Sequence, residues 1–264
     1  MPSEASPRHR GEQDRRDWTI ADLLSLVRIP LAVAFPLVSN GWRFAVLATA
    51  AASDLLDGQL ARRFGSSRFG AVIDPPSVDV TAHVVELLAR RPGYEDAARR
   101  GVGYLLAKQE RDGSWFGRWG VNYVYGTGAA LPALAAAGVP RMHPAIRRAV
   151  AWLVSVQNED GGFGEDCRSY EAGEAGLPWH GHGVSTPSQT AWALIGLVAA
   201  GEEHSDSAAG AARWLVEQQG DDGDWDEEYF TGTGFPRDFL IRYHLYRIVW
   251  PVLALGRLRR ARVG

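Results

Sequence analysis

The chain has 264 residues, enough for one large domain or two small ones around a sizeable core. A net charge of −3 excludes the broad basic footprint of a nucleic-acid-binding protein, so no nucleic-acid partner is expected. Cys167 is the single cysteine; it excludes an internal disulfide and any multi-cysteine zinc cluster, and it fits a reducing cytoplasmic setting.

Residues 1–17, "MPSEASPRHRGEQDRRD", are charged and lack any apolar period, which predicts a disordered tail. Two apolar stretches follow, "LLSLVRIPLAVAFPLV" and "WRFAVLATAAASDLL", split by the turn signal Ser39-Asn40-Gly41. Arginines flank the pair on both sides, as in a helical hairpin inserted in a membrane with both ends cytoplasmic. A buried helical hairpin of a soluble protein fits the same pattern. From about residue 76 the chain turns to three- and four-residue apolar spacing, as in "DVTAHVVELLARR", "AIRRAVAWLVSVQ" and "AAGAARWLVEQQ", with Gly/Asp-rich links between. No β alternation stands out, so residues 76–264 are expected to be all-α.

Three segments align with one another: "GYLLAKQERDGSW", "AWLVSVQNEDGGF" and "RWLVEQQGDDGDW". Each is an amphipathic helix ending in Gln, then a polar link, a Gly, one residue and an aromatic. The anchors are Gln109/Gly113/Trp115, Gln157/Gly161/Phe163 and Gln219/Gly223/Trp225. Such a repeat predicts stacked helical hairpins. The Gly would take a positive φ after the helix, and the Gln amide would satisfy loose backbone groups there.

This Gln-x₃-Gly-x-Trp unit is similar to the QW motif of the squalene–hopene and oxidosqualene cyclases. The strings "DPPSVDVTAHV", "DGSWFGRWGVNYVYGTG", "GGFGEDCRSY", "STPSQTAWAL" and "YFTGTGFPRDF" extend the resemblance over about residues 73–260. It implies the C-terminal portion of an α/α-barrel triterpene cyclase, membrane-associated and free of cofactors, acting on squalene or a related isoprenoid. Such chemistry needs a strong acid to protonate an alkene and aromatic faces to hold cations without offering a lone pair. By resemblance the aromatic lining is Trp119, Tyr125, Phe235, Phe239, Tyr243 and Tyr246, although the same rings would equally serve to pack a core. Leu240 stands where the family often has a further aromatic. Asp79 and His83 lie at i and i+4 on one helical face and resemble the pair that keeps the catalytic aspartic acid strongly acidic. The family's proton donor sits in an Asp-x-Asp-Asp motif, and no such string occurs in this sequence. The expectation is a chain inactive alone, completed by a complementary cyclase fragment or another copy of itself.

Residues 18–75 carry a second resemblance. Asp54-x₂-Asp57-Gly58-x₂-Ala61-Arg62-x₇-Gly70-x₃-Asp74 is similar to the signature of the CDP-alcohol phosphatidyltransferases, and "WTIADLLSLVRIP" to that family's first membrane helix. The resemblance implies Mg²⁺ or Mn²⁺ on Asp54, Asp57 and Asp74, because hard cations bind carboxylate oxygen. A fourth acid is due four residues beyond Asp74, where Val78 stands, so the metal site reads as vestigial. The two resemblances share Asp74-Pro75, and the stretch reads as a seam between fused pieces. Three functions are therefore weighed: a cyclase portion, a truncated phosphatidyltransferase, and a membrane-tethered module that binds isoprenoids without converting them.

Overall fold

A computed structural model describes Thr49 and residues 76–170, 179–235 and 238–263. The expected tail, the apolar hairpin and the acids Asp54, Asp57 and Asp74 lie outside the described residues. The chain divides into two units at Pro76/Ser77, and nearly all of the described structure belongs to the second.

Among the described residues seven α-helices follow one another: α1 (Val78–Leu88), α2 (Glu95–Ala107), α3 (Tyr123–Ala136), α4 (Pro144–Ser155), α5 (Pro187–Ala199), α6 (Asp206–Glu217) and α7 (Tyr246–Val263). Local chemistry marks several of their starts. Pro144 and Pro187 occupy the first turn, where a missing N–H costs nothing. The Thr186 and Ser205 hydroxyls accept from the amides of Gln189 and Ala208.

Burial sorts the helices into two rows. In α3 every residue from Tyr123 to Leu134 is buried, and in α5 every residue from Pro187 to Leu197. Helices apolar on all sides must be covered on all sides, so these two form the middle of the molecule. α1 packs on α3, α3 on α5, and α5 on α7, making one row. The amphipathic helices α2, α4 and α6 lie behind it, each burying a single stripe.

Two of the three clamps tie neighbouring helices of the outer row together. Gln109 Nε2 donates to Gly113 O and to Ala145 O, both at 2.8 Å, so it closes its own loop and reaches the first turn of α4. Gln157 Nε2 does the same with Gly161 O at 2.7 Å and Ser207 O at 3.0 Å, tying α4 to α6. Gly113 and Gly161 have φ of 102° and 86°, and a Cβ at Gly113 would lie 2.7 Å from Arg148 O. Both reasons demand glycine. The Trp115 and Trp225 indoles donate at 2.7 Å to Leu105 O and Leu215 O, carbonyls at the open ends of α2 and α6. Phe163 fills the equivalent buried seat without donating. Gln219 bonds Gly223 O at 2.9 Å and is exposed.

Gln157→Ala should therefore cost about 1–3 kcal/mol by stranding two carbonyls, while Gln219→Ala should stay within about 1 kcal/mol. Urea denaturation of the two variants side by side checks the ranking.

The structure corrects the all-α expectation. Residues Gly232–Phe235 (β1) and Asp238–Ile241 (β2) pair antiparallel, with Gly232 opposite Ile241 and Thr233 opposite Leu240. The hairpin also binds the loop before α3: Val121 N donates to Thr231 O at 3.0 Å and Thr233 N to Trp119 O at 3.1 Å. Strands of four residues interrupted by Gly234 carry too little alternation to announce themselves. Among the described residues the fold is mostly helical, with one small hairpin. No helix among the described residues is long and apolar enough to cross a membrane.

Candidate functional site

α1 contributes Asp79 and His83, and the structure separates their surroundings. Asp79 is fully buried; its Oδ2 accepts from Trp119 N at 2.8 Å, while Oδ1 has no hydrogen-bond partner among the described residues. His83 is exposed, with Nε2 3.4 Å from the Tyr125 hydroxyl. Asp79 thus fixes the loop that carries Trp119, and His83 faces Tyr125. No described hydrogen bond joins the two.

Tyr125 is the hinge of the site. Its ring sits over Gly117 and Gly120, where a Cβ would fall about 2.5 Å from the ring carbons, so the loop can approach only as glycine. Burial pushes the Tyr125 phenol well above its ordinary value, and the Asp79 charge pushes it the same way. The hydroxyl therefore stays protonated and donates to His83 Nε2 when that nitrogen is unprotonated.

From Tyr125 a chain of aromatic contacts runs across the inner row. Tyr125 meets Trp192 of α5 with ring centroids 4.8 Å apart, and Trp192 meets Tyr246 at 5.7 Å and Trp250 at 5.9 Å. Tyr246 stacks on Tyr243 at 4.6 Å. The Tyr243 ring in turn packs on Gly232 of the hairpin. Of the residues expected in the lining, Tyr125, Tyr243 and Tyr246 come together in this cluster. Trp119 is half-buried, with the Arg118 guanidinium 5.2 Å from its ring centre. Phe239 is 73% exposed on β2 at a φ of 50°. Phe235 has its backbone in β1, and its side chain lies outside the described residues.

Trp192 and Trp250 are central to the cluster and were not singled out by sequence reasoning. The spacing of Tyr246 and Trp250, one helical turn apart on α7, is the signal that would have found the second. Trp192 sits in an evenly apolar helix where no position stands out. His83, Tyr125, Trp192, Ile195, Trp250 and Leu253 help to line a cavity of about 120 Å³. That is smaller than the roughly 300–1,000 Å³ of a typical ligand pocket.

Two buried acids frame the site from outside. Glu165 Oε2 accepts from the amides of Asn122 at 3.2 Å and Val124 at 2.7 Å, at the start of α3. Glu227 accepts from the Ser188 amide at 3.0 Å and the Ser188 hydroxyl at 2.8 Å, at the start of α5. Burial raises both carboxyls above their ordinary value, and the donors only partly offset it. These acids hold the two central helices; among the described residues no cluster of His, Cys, Asp and Glu could hold a metal ion.

The squalene-hopene cyclase C-terminal domain model matches residues 51–260, most of the chain. The chain belongs to this family. The match starts inside the segment that resembles the phosphatidyltransferases. The squalene–hopene cyclase of Alicyclobacillus acidocaldarius is 55% identical over 196 residues, covering 73% of this chain and 30% of that protein. That of Zymomonas mobilis is 50% identical over 193 residues, covering 72% and 29%. Sporulenol synthase of Bacillus subtilis is 40% identical over 190 residues, covering 71% and 29%. The chain thus spans about three-tenths of the length of these curated relatives. In fold it is similar to the type II terpene cyclase MstE of Scytonema in complex with merosterolic acid A, with a TM-score of 0.50 at 21% identity, covering 91% of this chain and 82% of that one.

Proposed function

We propose that this chain is the cation-holding portion of a squalene–hopene-type triterpene cyclase, and that it cyclises squalene only when a complementary piece brings the acid. The observation that carries this reading is the run of rings Tyr125, Trp192, Tyr246 and Trp250 beside a cavity with His83 at its wall. Aromatic faces stabilise a migrating carbocation through their quadrupole and present no nucleophile to quench it. His83 would contact the incoming acid, and Asp79 would act as a positioning residue through Trp119. Nothing in this chemistry calls for a cofactor.

Two exposed apolar stripes support such a partner. Val80, Val84 and Leu87 form an exposed apolar stripe on α1, and Leu245, Val249 and Val252 a second at α7. Such stripes on a chain three-tenths the length of its relatives suit a remainder of the same family, or a second copy. The test is reconstitution. The chain alone should yield no cyclised product from squalene, and addition of the N-terminal part of a family member carrying Asp-x-Asp-Asp should restore it. Failure of every such pairing to give product would sink the reading.

Residues 18–57 would hold the assembly at the cytoplasmic side of a membrane through their two apolar stretches. The Asp54, Asp57 and Asp74 string supports a second reading, a remnant phosphatidyltransferase needing Mg²⁺ or Mn²⁺. Release of CMP from CDP-diacylglycerol in the presence of either metal would favour it over the cyclase reading.

A further inference from the structure

The third repeat departs from the other two in where its tie lands. Gln109 and Gln157 each send a second hydrogen bond to the first turn of an outer helix, at Ala145 O of α4 and Ser207 O of α6. Gln219 bonds Gly223 O alone among the described residues. The crossing contact of this repeat is instead ionic, and it reaches an inner helix. Arg247, in the first turn of α7, places Nη2 2.7 Å from Asp224 Oδ2 and Nη1 3.6 Å from Asp226 Oδ1.

The same short link also holds the start of α5. Glu227 N donates to Asp226 Oδ1 at 2.9 Å, and the Glu227 carboxyl accepts from the Ser188 amide and hydroxyl. Ser188 lies one turn before Trp192, and Arg247 directly follows Tyr246. Residues 224–227 therefore bind the starts of two helices whose rings, Trp192 and Tyr246, meet at 5.7 Å. The link is itself a fixed point. Trp225, between the two acids, is 2% exposed, and its indole donates to Leu215 O of α6 at 2.7 Å.

We propose that Arg247 is a positioning residue for the aromatic run: clasped by Asp224, it holds the Tyr246 ring at the separation from Trp192 that the third repeat sets. The proposal rests on the cation-holding reading above and adds what fixes the spacing of the rings. Helix geometry permits it, because successive residues point about 100° apart. The Arg247 guanidinium thus reaches outward to the link while the Tyr246 ring faces Tyr243, Trp192 and Trp250. Burial ranks the two acids. The Asp224 side chain is 26% exposed and lies in direct contact, whereas that of Asp226 is 85% exposed at a longer distance and adds little. A guanidinium suits the place because its fork reaches both carboxylates, where an ammonium is a single point charge.

The test labels the full chain with ring-fluorinated tyrosine and reads it by fluorine NMR, with the Tyr243 and Tyr246 signals assigned through Tyr243→Phe and Tyr246→Phe. Arg247→Met keeps the stem, removes the charge and should move both signals. Asp224→Asn keeps an oxygen for the Trp225 amide, which Asp224 Oδ1 now accepts, and should move them the same way. The double variant should add nothing further. Arg247→Lys should recover part of the wild-type positions. Arg147→Met breaks the ion pair with Glu202 in the outer row, controls for a mere loss of stability, and should leave both signals in place. Unmoved signals in folded Arg247→Met would overturn the proposal, as would equal movement in Arg147→Met. If Arg247→Met does not fold, Asp224→Asn decides by the same criterion. In the chain reconstituted with the N-terminal part of a family member, Arg247→Met should lower kcat for squalene at least about tenfold with KM little changed, because ring placement acts on the transition state. A raised KM at unchanged kcat would also overturn it. No product from the reconstituted wild type would bring down the cyclase reading, while the NMR result would still decide whether Arg247 places the rings.

Discussion

Replacing Trp192 with alanine is expected to cost about 3–5 kcal/mol of stability. The ring is 2% exposed and touches Tyr125, Tyr246 and Trp250, which belong to two other helices. Its removal opens a cavity between α3, α5 and α7 and deletes three ring contacts, each worth roughly 0.5–1.5 kcal/mol beyond buried area. Trp192→Phe separates the ring from its polar atom. The Trp192 indole N–H is buried with no acceptor among the described residues, so losing it removes an unsatisfied donor. The phenylalanine variant should retain most of the stability that alanine loses. Urea titrations of both variants check this.

The second large effect is a dependence on pH set by the two buried acids. Glu165 and Glu227 have carboxyls raised above the ordinary 4.5 by burial. In the folded chain each keeps its proton at pH values where the unfolded chain has released it. Folding is therefore favoured at low pH, and this contribution is lost as pH rises from about 4.5 through the raised folded-state value, levelling off above it. Glu165→Gln removes the titration at the start of α3, so its stability curve should be flatter than that of the wild type. Any deficit relative to the wild type should narrow as pH rises. Glu165→Ala strands the buried amides of Asn122 and Val124 at about 1–3 kcal/mol each, at every pH. Thermal unfolding from pH 4 to 8 distinguishes these outcomes. A wild-type curve parallel to that of Glu165→Gln would contradict them.

The outer helices were legible in the sequence because each buries only one side, so its apolar residues recur with helical period. The clamps were legible too: Gln, Gly and an aromatic at fixed spacing are one local device, and Gly113 and Gly161 adopt the positive φ that spacing predicts. What the clamp spacing did not reveal is the second bond of Gln109 and Gln157, since Ala145 O and Ser207 O lie on the next hairpin. α3 and α5 have no polar face, and so the sequence could not say which of their residues meet the site. That is why Trp192 was missed. The Asp79/His83 spacing puts both residues on one helix, α1. The difference in their burial came from tertiary packing, with Asp79 turned under the Trp119 loop and His83 left at the surface. The hairpin stayed hidden because its order depends on pairing with the loop at Trp119 and Val121, a contact far along the chain.

The clamps also give the outer row a direction. Gln109 and Gln157 each reach forward to the following hairpin, while Gln219 closes only its own loop. Opening either of the first two loops must release the neighbouring helix, whereas the third is held outward by the ion pair of Arg247 with Asp224, at 2.7 Å, rather than by its Gln. In deuterated solvent, the Gly113 and Gly161 amides, bonded to Glu110 O and Asn158 O, should exchange only with disruption of a whole hairpin. The Gly223 amide, bonded to Gly220 O, should exchange through a small local opening. The molecule would then fray from its C-terminal repeat inward, and slow and fast amides would mark successive steps of one gradient of protection.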